Sequence, residues 1–423
     1  MGCGIDYGSS NSAVALAFPH HVEVLGEGGQ DALVPSTLYL HRDGRRVAGV
    51  RASELFFRSG DQRTTCARCS LAEHGVSDCR QFRRAGSCND SRLLWSVKRD
   101  LANLGFAGTN SWATDFPVTE LVAATLKLLR RRAEHASGEL VTRVVIGHPV
   151  VFAGARDATS RANNTARERL REAARLAGFN EVELYSEPEA AGLGGSSTQG
   201  LVLLADFGAG TYDVAVLNHR EGGLRVEALD GVDVGGSRFD EALFEMVVGP
   251  ELGLMDLPSW LFNDLKSLSG VMLLMADPRL RGQLERLGGQ AARTVAAILY
   301  GGSAYRFFKA IEMAKIELSS SETANLVAEV PGLELRTTVT RTHFESTVTP
   351  ELDALDLVTR RALEAAGWRP QDVDVVATTG GSSQIPAFQR MLQALCPQAE
   401  LRQEAAFTSV VRGLGARASA LWA

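Results

Sequence analysis

Hydrophobic residues occur in short stretches separated by small and polar turn residues, and the first stretches predict a β-hairpin. Strand 3–6 ends in a glycine and serine turn, and a second strand, 13–18, follows the turn. The same pattern returns later, with strand 201–206, a glycine-rich turn and a strand at 212–217. The chain is therefore predicted to contain two units that open in the same way.

Apolar residues at spacings of three and four predict helices between and after these hairpins. Helices are predicted at 118–135, 159–177, 188–193, 350–366 and 386–395, and through most of 241–321. Further strands are predicted at 36–40, 141–146, 182–185, 326–330, 334–340 and 373–379. The glycine- and serine-rich segment 194–200 is the best candidate boundary between the two units.

The composition is that of an ordinary folded protein, with 45% hydrophobic and 22% charged residues in a chain of 423. It excludes the collagen-like, disordered and disulfide-dense classes. The net charge of −6 provides no general attraction to nucleic acid. No apolar stretch approaches the roughly 18–20 residues that a bilayer requires, and the first residues lack a secretory signal pattern. We expect a cytoplasmic monomer that binds neither nucleic acid nor membranes.

An internal repeat emerges when each residue is compared with the one 200 positions later. The two turns then align, and the matching pairs are Asp6 and Asp206, Gly8 and Gly208, Val14 and Val214, and Ala15 and Ala215. In both units an acidic residue precedes a turn of small residues. We therefore predict a duplicated fold with two facing hairpins.

The two turns suit a ligand that carries phosphate groups. Small residues let backbone N–H groups close around phosphate oxygens. The hydroxyl groups of Ser9, Ser10 and Thr211 can add hydrogen-bond donors. Asp6 and Asp206 stand at strand ends, where carboxylates can hold Mg²⁺ through its water shell. Two such hairpins would clamp a triphosphate between them.

Five segments, in order along the chain, resemble the motifs of one known family. They are GIDYGSSNS at 4–12, SEPEAAGL at 186–193, DFGAGTYD at 206–213, EMAKIELSS at 312–320 and GGSSQIP at 380–386. They resemble the phosphate, connecting and adenosine motifs of the nucleotide-binding domain of the 70-kDa heat-shock chaperone family, within the actin-like ATPase superfamily. The segment around Lys98 resembles the one that supplies a lysine to the γ-phosphate in that family.

This resemblance implies an α/β, actin-like ATPase fold with two duplicated RNase H-like lobes around a central nucleotide cleft. Lobe I would comprise residues 1–198, with an insertion at about 60–90 in its outer subdomain, and helix 407–423 would close it. Lobe II would comprise residues 199–406, with an outer helical subdomain at about 241–321. The implied function is that of an ATP-binding, slowly ATP-hydrolysing chaperone that switches conformation with its nucleotide state.

The resemblance also implies roles for individual residues. Asp6 and Asp206 would hold Mg²⁺ through water. The residues implied in ATP hydrolysis are Lys98, Glu187, Asp206, Thr211 and Asp213. The residues implied in binding ATP or ADP are Asp6, Gly8, Ser9, Ser10, Asn11, Gly208, Gly210, Gly235, Gly236, Glu312, Lys315, Ser319, Gly380, Gly381, Ser382 and Gln384. Pro149 matches a proline that couples the nucleotide state to signalling between domains.

Two replacements in the implied nucleoside pocket predict weaker nucleotide affinity. Gln384 stands where the family has an arginine that stacks on adenine, and Ile316 replaces a second basic residue. An amide lacks the cation–π attraction of arginine, which is worth about 0.5–2 kcal/mol. These replacements keep open an alternative function, a catalytically weak nucleotide-binding interaction protein. A small-molecule kinase of the same superfamily is a further alternative, although no acceptor pocket or catalytic base for it can be identified.

The segment 407–422 resembles the last helix of the family's nucleotide-binding domain, and the sequence stops after it. We therefore expect no peptide-binding domain, as in the short YegD-like branch of the family, whose clients are poorly defined. The sequence does not indicate the client or partner protein.

Four of the six cysteines, Cys66, Cys69, Cys79 and Cys88, cluster within the polar insertion. A C-x-x-C pair followed by two further thiols suits tetrahedral Zn²⁺. The surrounding arginines also suit a thiol–disulfide switch, because nearby positive charge lowers the pKa of a thiol. Unpaired cysteines without a special role are the third interpretation. The resembled family has no such cluster.

Overall fold

The computed structural model describes residues 1–27, 32–41, 45–60, 91–111, 114–195, 200–220, 223–267, 270–271, 273–274, 277, 279–299, 304–403 and 408–422. Cys66, Cys69, Cys79 and Cys88 lie outside these ranges, so the zinc site stays a prediction.

The strands of the described ranges, numbered in chain order, are β1 Gly2–Tyr7, β2 Asn11–Ala17, β3 Val22–Val24, β4 Val34–Pro35, β5 Thr37–His41, β6 Arg46–Ala48, β7 Ser91–Trp95, β8 Gly108–Ser111, β9 Thr114–Pro117, β10 Arg143–His148, β11 Glu181–Ser186, β12 Gly200–Phe207, β13 Tyr212–Arg220, β14 Gly223–Val232, β15 Thr323–Val330, β16 Leu333–Thr340, β17 Val375–Thr379 and β18 Glu400–Gln403.

The α-helices of the same ranges are α1 Val50–Gly60, α2 Val118–Ser137, α3 Arg161–Leu176, α4 Glu187–Gly194, α5 Gly236–Leu243, α6 Gly249–Glu251, α7 Ser259–Leu265, α8 Leu280–Leu287, α9 Gly289–Leu299, α10 Ala304–Ser320, α11 Arg341–Thr347, α12 Thr349–Ala365, α13 Pro386–Leu395 and α14 Ser409–Trp422. Short 3₁₀ turns cover Val97–Leu101, Pro370–Asp372 and Gly381–Gln384, and a π-helical segment covers Phe244–Val248.

Two sheets with the same strand order form the centre of the fold. The first has six strands, five of them in the order β3-β2-β1-β10-β11 and the sixth, β4, paired to β2. The second has five strands in the corresponding order β14-β13-β12-β17-β18. In each sheet the opening strand pairs antiparallel with its hairpin partner and parallel with a later strand. This equivalence confirms the duplication predicted from the repeat.

Helix ends follow the local sequence. Ser160 caps α3, where its side chain accepts a hydrogen bond from the backbone N–H of Asn163. Ser186 caps α4 in the same way, and Pro188 occupies the first turn of that helix. Gly138 ends α2 in the left-handed conformation. These caps place Glu187, a predicted site residue, at the first position of α4.

Each sheet packs into its own apolar core. The first core joins β1, β2 and β10 to α2 and α3. The second is rich in aromatic rings, and Phe207, Tyr212 and Phe388 contact one another within it. A smaller cluster joins both sheets to α4 and to α14, which returns from the end of the chain to pack on β1, β2 and β10.

The predicted helices and strands are largely confirmed. Helix 386–395 has the predicted bounds, and 118–135 is extended by two residues. The pattern did not predict strand β14, nor strands β6 and β7 of the small sheet β6-β5-β7. In the part of the chain that the structure describes, no helix is long and apolar enough to cross a membrane.

Candidate functional site

The turns of the two hairpins meet face to face. A Cβ atom built on Gly210, in the β12–β13 turn, would lie 2.8 Å from the Oγ of Ser9 in the β1–β2 turn. A Cβ atom on Gly235, which precedes α5, would lie 2.4 Å from the carbonyl carbon of Gly210. The close backbone approach at Gly235 therefore requires a residue without a side chain, and Gly210 leaves room for the Ser9 hydroxyl.

The backbone carbonyl groups of the first turn are held by Ser36. The backbone N–H of Ser36 donates to the carbonyl oxygen of Ser10 at 2.8 Å, and its hydroxyl donates to that of Gly8 at 2.7 Å. The hydroxyl groups of Ser12 and Ser36 are 2.8 Å apart, which fixes the position of Ser36. Two acceptors that would repel a phosphate group are thus already engaged.

The second turn is arranged in the same way with different donors. The carbonyl oxygen of Gly208 accepts from the backbone N–H of Gly236 and from the hydroxyl of Ser382, both at 2.9 Å. That of Ala209 accepts from the backbone N–H of Ser237 at 2.9 Å and from its hydroxyl at 2.8 Å. Engaged carbonyl groups beside small residues and the start of a helix are features of backbone anion sites.

A buried charge cluster lies beside the turns. Asp6 and Asp206 occupy corresponding positions near the ends of β1 and β12, and Asp213 pairs in register with Asp206. The Nζ atom of Lys98, in the 3₁₀ turn Val97–Leu101, lies 2.6 Å from Oε1 of Glu187, and both side chains are 9% exposed. The fold therefore joins residues separated by up to 207 positions, from Asp6 to Asp213, into one cluster.

Burial and neighbouring negative charges both raise the pKa values of the aspartates in this cluster. Burial raises the pKa of Asp6 to about 7, Glu187 adds to the rise, and Lys98 opposes it. Burial and Glu187 likewise raise the pKa of Asp213 to about 7, and that of Asp206 rises well above its ordinary value. Burial alone would lower the pKa of Lys98, but the carboxylates of Glu187 and Asp6 raise it. The cluster therefore suits an additional cation.

Asp213 is held from two sides. Its Oδ1 accepts a 2.6 Å hydrogen bond from the backbone N–H of Val150, and its Oδ2 accepts one of 2.8 Å from the Thr211 hydroxyl. Val150 follows Pro149, so the segment after β10 contacts the cluster through its backbone. The neighbouring His148 is buried, which lowers its pKa to about 4 and keeps the imidazole neutral near pH 7.

The carboxyl groups do not form a direct metal cage. Among the described residues, no three His, Cys, Asp or Glu side chains converge closely enough to coordinate one metal ion. This spacing is compatible with the predicted Mg²⁺, which retains several water ligands and is held by few carboxylates.

A cavity of about 310 Å³ opens beside the first turn. The predicted binding residues that line it are Ser9, Ser10, Asn11, Glu312 and Lys315. Lys315 donates to the carbonyl oxygen of Gly236 at 2.9 Å and lies 2.8 Å from Oδ1 of Asp240.

Other predicted residues are placed less directly. Gly380 and Gly381 lie at the start of the turn that carries Ser382. None of the described contacts joins Ser319 or Gln384 to the turns, and Gln384 is exposed. The roles of these residues stay predictions.

The comparison with known proteins agrees with this geometry. The family model described as "Hsp70 protein" matches residues 2–250 and 302–413. The chain belongs to the Hsp70 family. Its two sheets of equivalent topology are those of the actin-like ATPase fold of Hsp70 nucleotide-binding domains. Helices α7, α8 and α9 lie within residues 251–301, between the two matched ranges.

Curated Hsp70 relatives match over most of this chain. The chaperone protein DnaK of Thermus thermophilus is 31% identical over 406 residues, covering 93% of this chain and 56% of that protein. The chaperone protein dnaK1 of Nostoc sp. is 26% identical over 402 residues, with 93% and 50% covered. The mitochondrial heat shock 70 kDa protein of Solanum tuberosum is 25% identical. The chain spans about half the length of the curated relatives it matches.

Several site residues of this Hsp70 member were not predicted. Ser36 holds the first turn, Val150 holds Asp213, and Asp240 pairs with Lys315. Asp240 closely follows Gly235 and Gly236, two residues that were predicted to bind nucleotide. Its proximity to them in the sequence could have indicated that it belongs to the site. Ser36 and Val150 act through backbone and hydroxyl contacts that no sequence pattern marks.

Proposed function

We propose that this chain binds ATP and ADP with Mg²⁺, hydrolyses ATP slowly and changes conformation with its nucleotide state. The observation that carries the proposal is the pair of facing turns beside the buried Lys98–Glu187 ion pair and the aspartates Asp6, Asp206 and Asp213. Membership of the Hsp70 family supports it, because the matched relatives are named as chaperones. In this proposal the protein works as a cytoplasmic monomer on a client or partner protein.

The charge cluster fits a divalent cation. In the described residues of the cluster, four carboxyl groups face the ammonium group of Lys98, and burial together with the charge of Glu187 raises the pKa values of Asp6 and Asp213. Asp6 and Asp206 would hold Mg²⁺ through water. When bound, Mg²⁺ would neutralise negative charge on the phosphate oxygens.

The chain's own groups would do the remaining work. The turns would bind the phosphate groups through backbone N–H donors and the hydroxyl groups of Ser9 and Ser10. Lys98 would stabilise the negative charge that develops on the transferred phosphoryl group, and its ion pair with Glu187 would keep the ammonium group in place. Asp213, oriented by Val150 and Thr211, would position the attacking water.

The residues proposed to contact the nucleoside support nucleotide binding, but with a weaker affinity than the family pattern would give. Glu312 and Lys315 line the cavity, and Ser382 contacts the second turn. Gln384 is exposed, and Ile316 is 48% exposed. Because neither side chain carries a charge, neither offers the cationic surface on which a base can stack. These two residues favour the second candidate function, a nucleotide-binding interaction protein with little or no turnover.

Steady-state ATP turnover by the wild type, Lys98→Ala and Asp206→Asn tests the proposal. We expect slow turnover by the wild type and a loss of about 100-fold in each variant, because each removes charge from the reacting site. Nucleotide binding should persist in Lys98→Ala. Lys127→Ala removes an exposed lysine on α2 and should match the wild type.

The possible outcomes separate the candidate functions. Equal turnover by the wild type, Lys98→Ala and Asp206→Asn would show that the assigned site does not hydrolyse ATP. Binding of ATP by the wild type without turnover would establish the interaction protein instead. Absence of binding would refute both.

A further inference from the structure

Two aromatic side chains from different parts of the chain meet at the cavity wall. Trp95 ends β7, and Tyr305 lies in the first turn of α10. Their rings contact edge to face, with centroids 5.6 Å apart and an interplanar angle of 71°. Both residues line the cavity, together with Phe308. The contact therefore closes one side of the space beside the phosphate-binding turns.

This contact connects apolar clusters of the two halves of the molecule. Trp95 and Tyr305 both pack against a cluster formed by Tyr39, Ala52, Phe56 and Leu93, in the first half. Trp95 also packs against the large core of the second half. Separation of the two halves would therefore break the Trp95–Tyr305 contact.

Trp95 is also linked to the predicted catalytic lysine through a strained residue. Ser96 has a φ of 56°, and it is the only non-glycine residue in the described ranges whose φ is positive. It immediately precedes the 3₁₀ turn that carries Lys98. Such a backbone conformation persists only when its surroundings impose it. The packing of Trp95 thus helps to set the direction in which the Lys98 turn leaves β7.

The contact is built in a way that permits opening. The indole N–H of Trp95 is buried and has no hydrogen-bond partner among the described residues. A buried donor without an acceptor is unfavourable, and opening would expose it to water. The aromatic contact opposes this cost. The open and closed arrangements of this contact are therefore in equilibrium, and a ligand in the cavity can shift that equilibrium.

We propose that Trp95 and Tyr305 form an aromatic clamp that restrains bound nucleotide and positions the turn carrying Lys98. The clamp rests on the proposed function, since it acts on the nucleotide in the cavity. Trp95 and Tyr305 are positioning residues, because they act through Ser96 and the Lys98 turn. When the clamp closes, it would thus retain the nucleotide and align Lys98 at the same time.

The first test measures release of a fluorescent ADP analogue, with Mg²⁺, from the full chain. Tyr305→Ala should release the analogue about three- to tenfold faster than the wild type, because an aromatic pair of this kind is lost. Tyr305→Phe keeps the ring and should restore slow release. Trp260→Ala removes a tryptophan that is 48% exposed on α7, outside the cavity lining, and serves as the matched control.

The second test separates positioning from general damage. Single-turnover hydrolysis at saturating ATP should slow several-fold in Tyr305→Ala. In a Lys98→Ala background the same substitution should cause no further slowing, because the lysine that it positions is already absent. Tyr305→Leu, which removes the ring but keeps an apolar side chain, provides a second variant if Tyr305→Ala fails to fold, and it too should speed release.

Each result supports or overturns the clamp. Unchanged release in both Tyr305→Ala and Tyr305→Leu would overturn it while leaving nucleotide binding by the wild type intact. Additive slowing in the double variant would overturn the positioning role. If the wild type binds no nucleotide at all, the proposed function fails first and the clamp fails with it.

Discussion

At the scale of single residues, the carboxyl groups beside the turns are the most informative feature. Burial raises the pKa of Asp6 and of Asp213 to about 7, so part of the population of each is protonated near neutral pH in the absence of a cation. Such a group binds its proton more tightly in the folded than in the unfolded protein. The cluster is thus a stability cost retained for its chemistry.

This cost predicts a pH dependence of stability for the metal-free protein. Because the pKa of Asp6 is raised from 3.8 to about 7, the folded state loses stability as pH rises between these two values. Asp6→Asn removes this titration. We expect the variant to be more stable than the wild type by about 1–3 kcal/mol at about pH 8, with a much smaller difference at about pH 5.

Urea unfolding in the presence of a chelator measures this difference. Asp353→Asn, at an exposed position on α12, is the matched control and should show no pH-dependent gain. His148, whose pKa is lowered, titrates in the opposite sense in both proteins and cancels from the comparison. A stabilisation by Asp6→Asn that is equal at both pH values would contradict the assignment.

At the scale of elements, a glycine in α14 allows this helix to pack closely against α4. A Cβ atom on Gly413 would lie 1.7 Å from the carbonyl oxygen of Ala190 in α4, so these two helices touch backbone to backbone. Val410, Leu414 and Ala418 pack beside this contact in the cluster that joins both sheets. A larger residue at 413 must push the helices apart.

Gly413→Ala should therefore destabilise the protein by about 1–3 kcal/mol, despite the better helix propensity of alanine. Gly282→Ala, in α8, is the matched control, because its new Cβ would meet only an ordinary contact with Arg286. That control should leave stability unchanged or raise it by about 0.5–1 kcal/mol. Chemical denaturation of both variants decides the matter, and a stable Gly413→Ala would disprove the tight seating.

The elements also show how far sequence reasoning reaches. The hairpins around Asp6 and Asp206 were predictable because local alternation and small turn residues specify them. Strand β14 was not, since it is an edge strand whose position depends on pairing with β13 and whose Val226 and Leu229 are both 36% exposed. Lys98 and Glu187, 89 residues apart, are assigned to the site only through a family resemblance, and their ion pair was not predicted. Periodicity carries no information about contacts of that range.

At the scale of the whole molecule, the proposed ligand would lie where both halves contribute. The cavity is lined by Ser9 and Trp95 from the first half and by Ala209, Phe308 and Lys315 from the second. A ligand that binds the folded protein alone stabilises it by mass action. Nucleotide should therefore stabilise the entire fold rather than one part.

Mg²⁺ with ADP at a hundredfold excess over Kd should add about 2.7 kcal/mol to the stability of the folded protein and raise Tm by a few degrees. Chelation of Mg²⁺ should remove most of this gain, and Asp206→Asn should reduce it. Differential scanning calorimetry provides the measurement, with Lys127→Ala as a variant that should respond like the wild type. A gain that survives chelation would argue against a metal-dependent site.

The return of α14 to the first sheet has a consequence for synthesis. Residues 409–422 pack on β1, β2 and β10, so these strands receive part of their cover from a segment that is translated more than 200 residues later. The first half must wait, incompletely packed, while more than 200 further residues are translated. Contacts of such sequence separation slow folding. A protein of the family that assists other chains would thus itself be exposed to misfolding during its own translation.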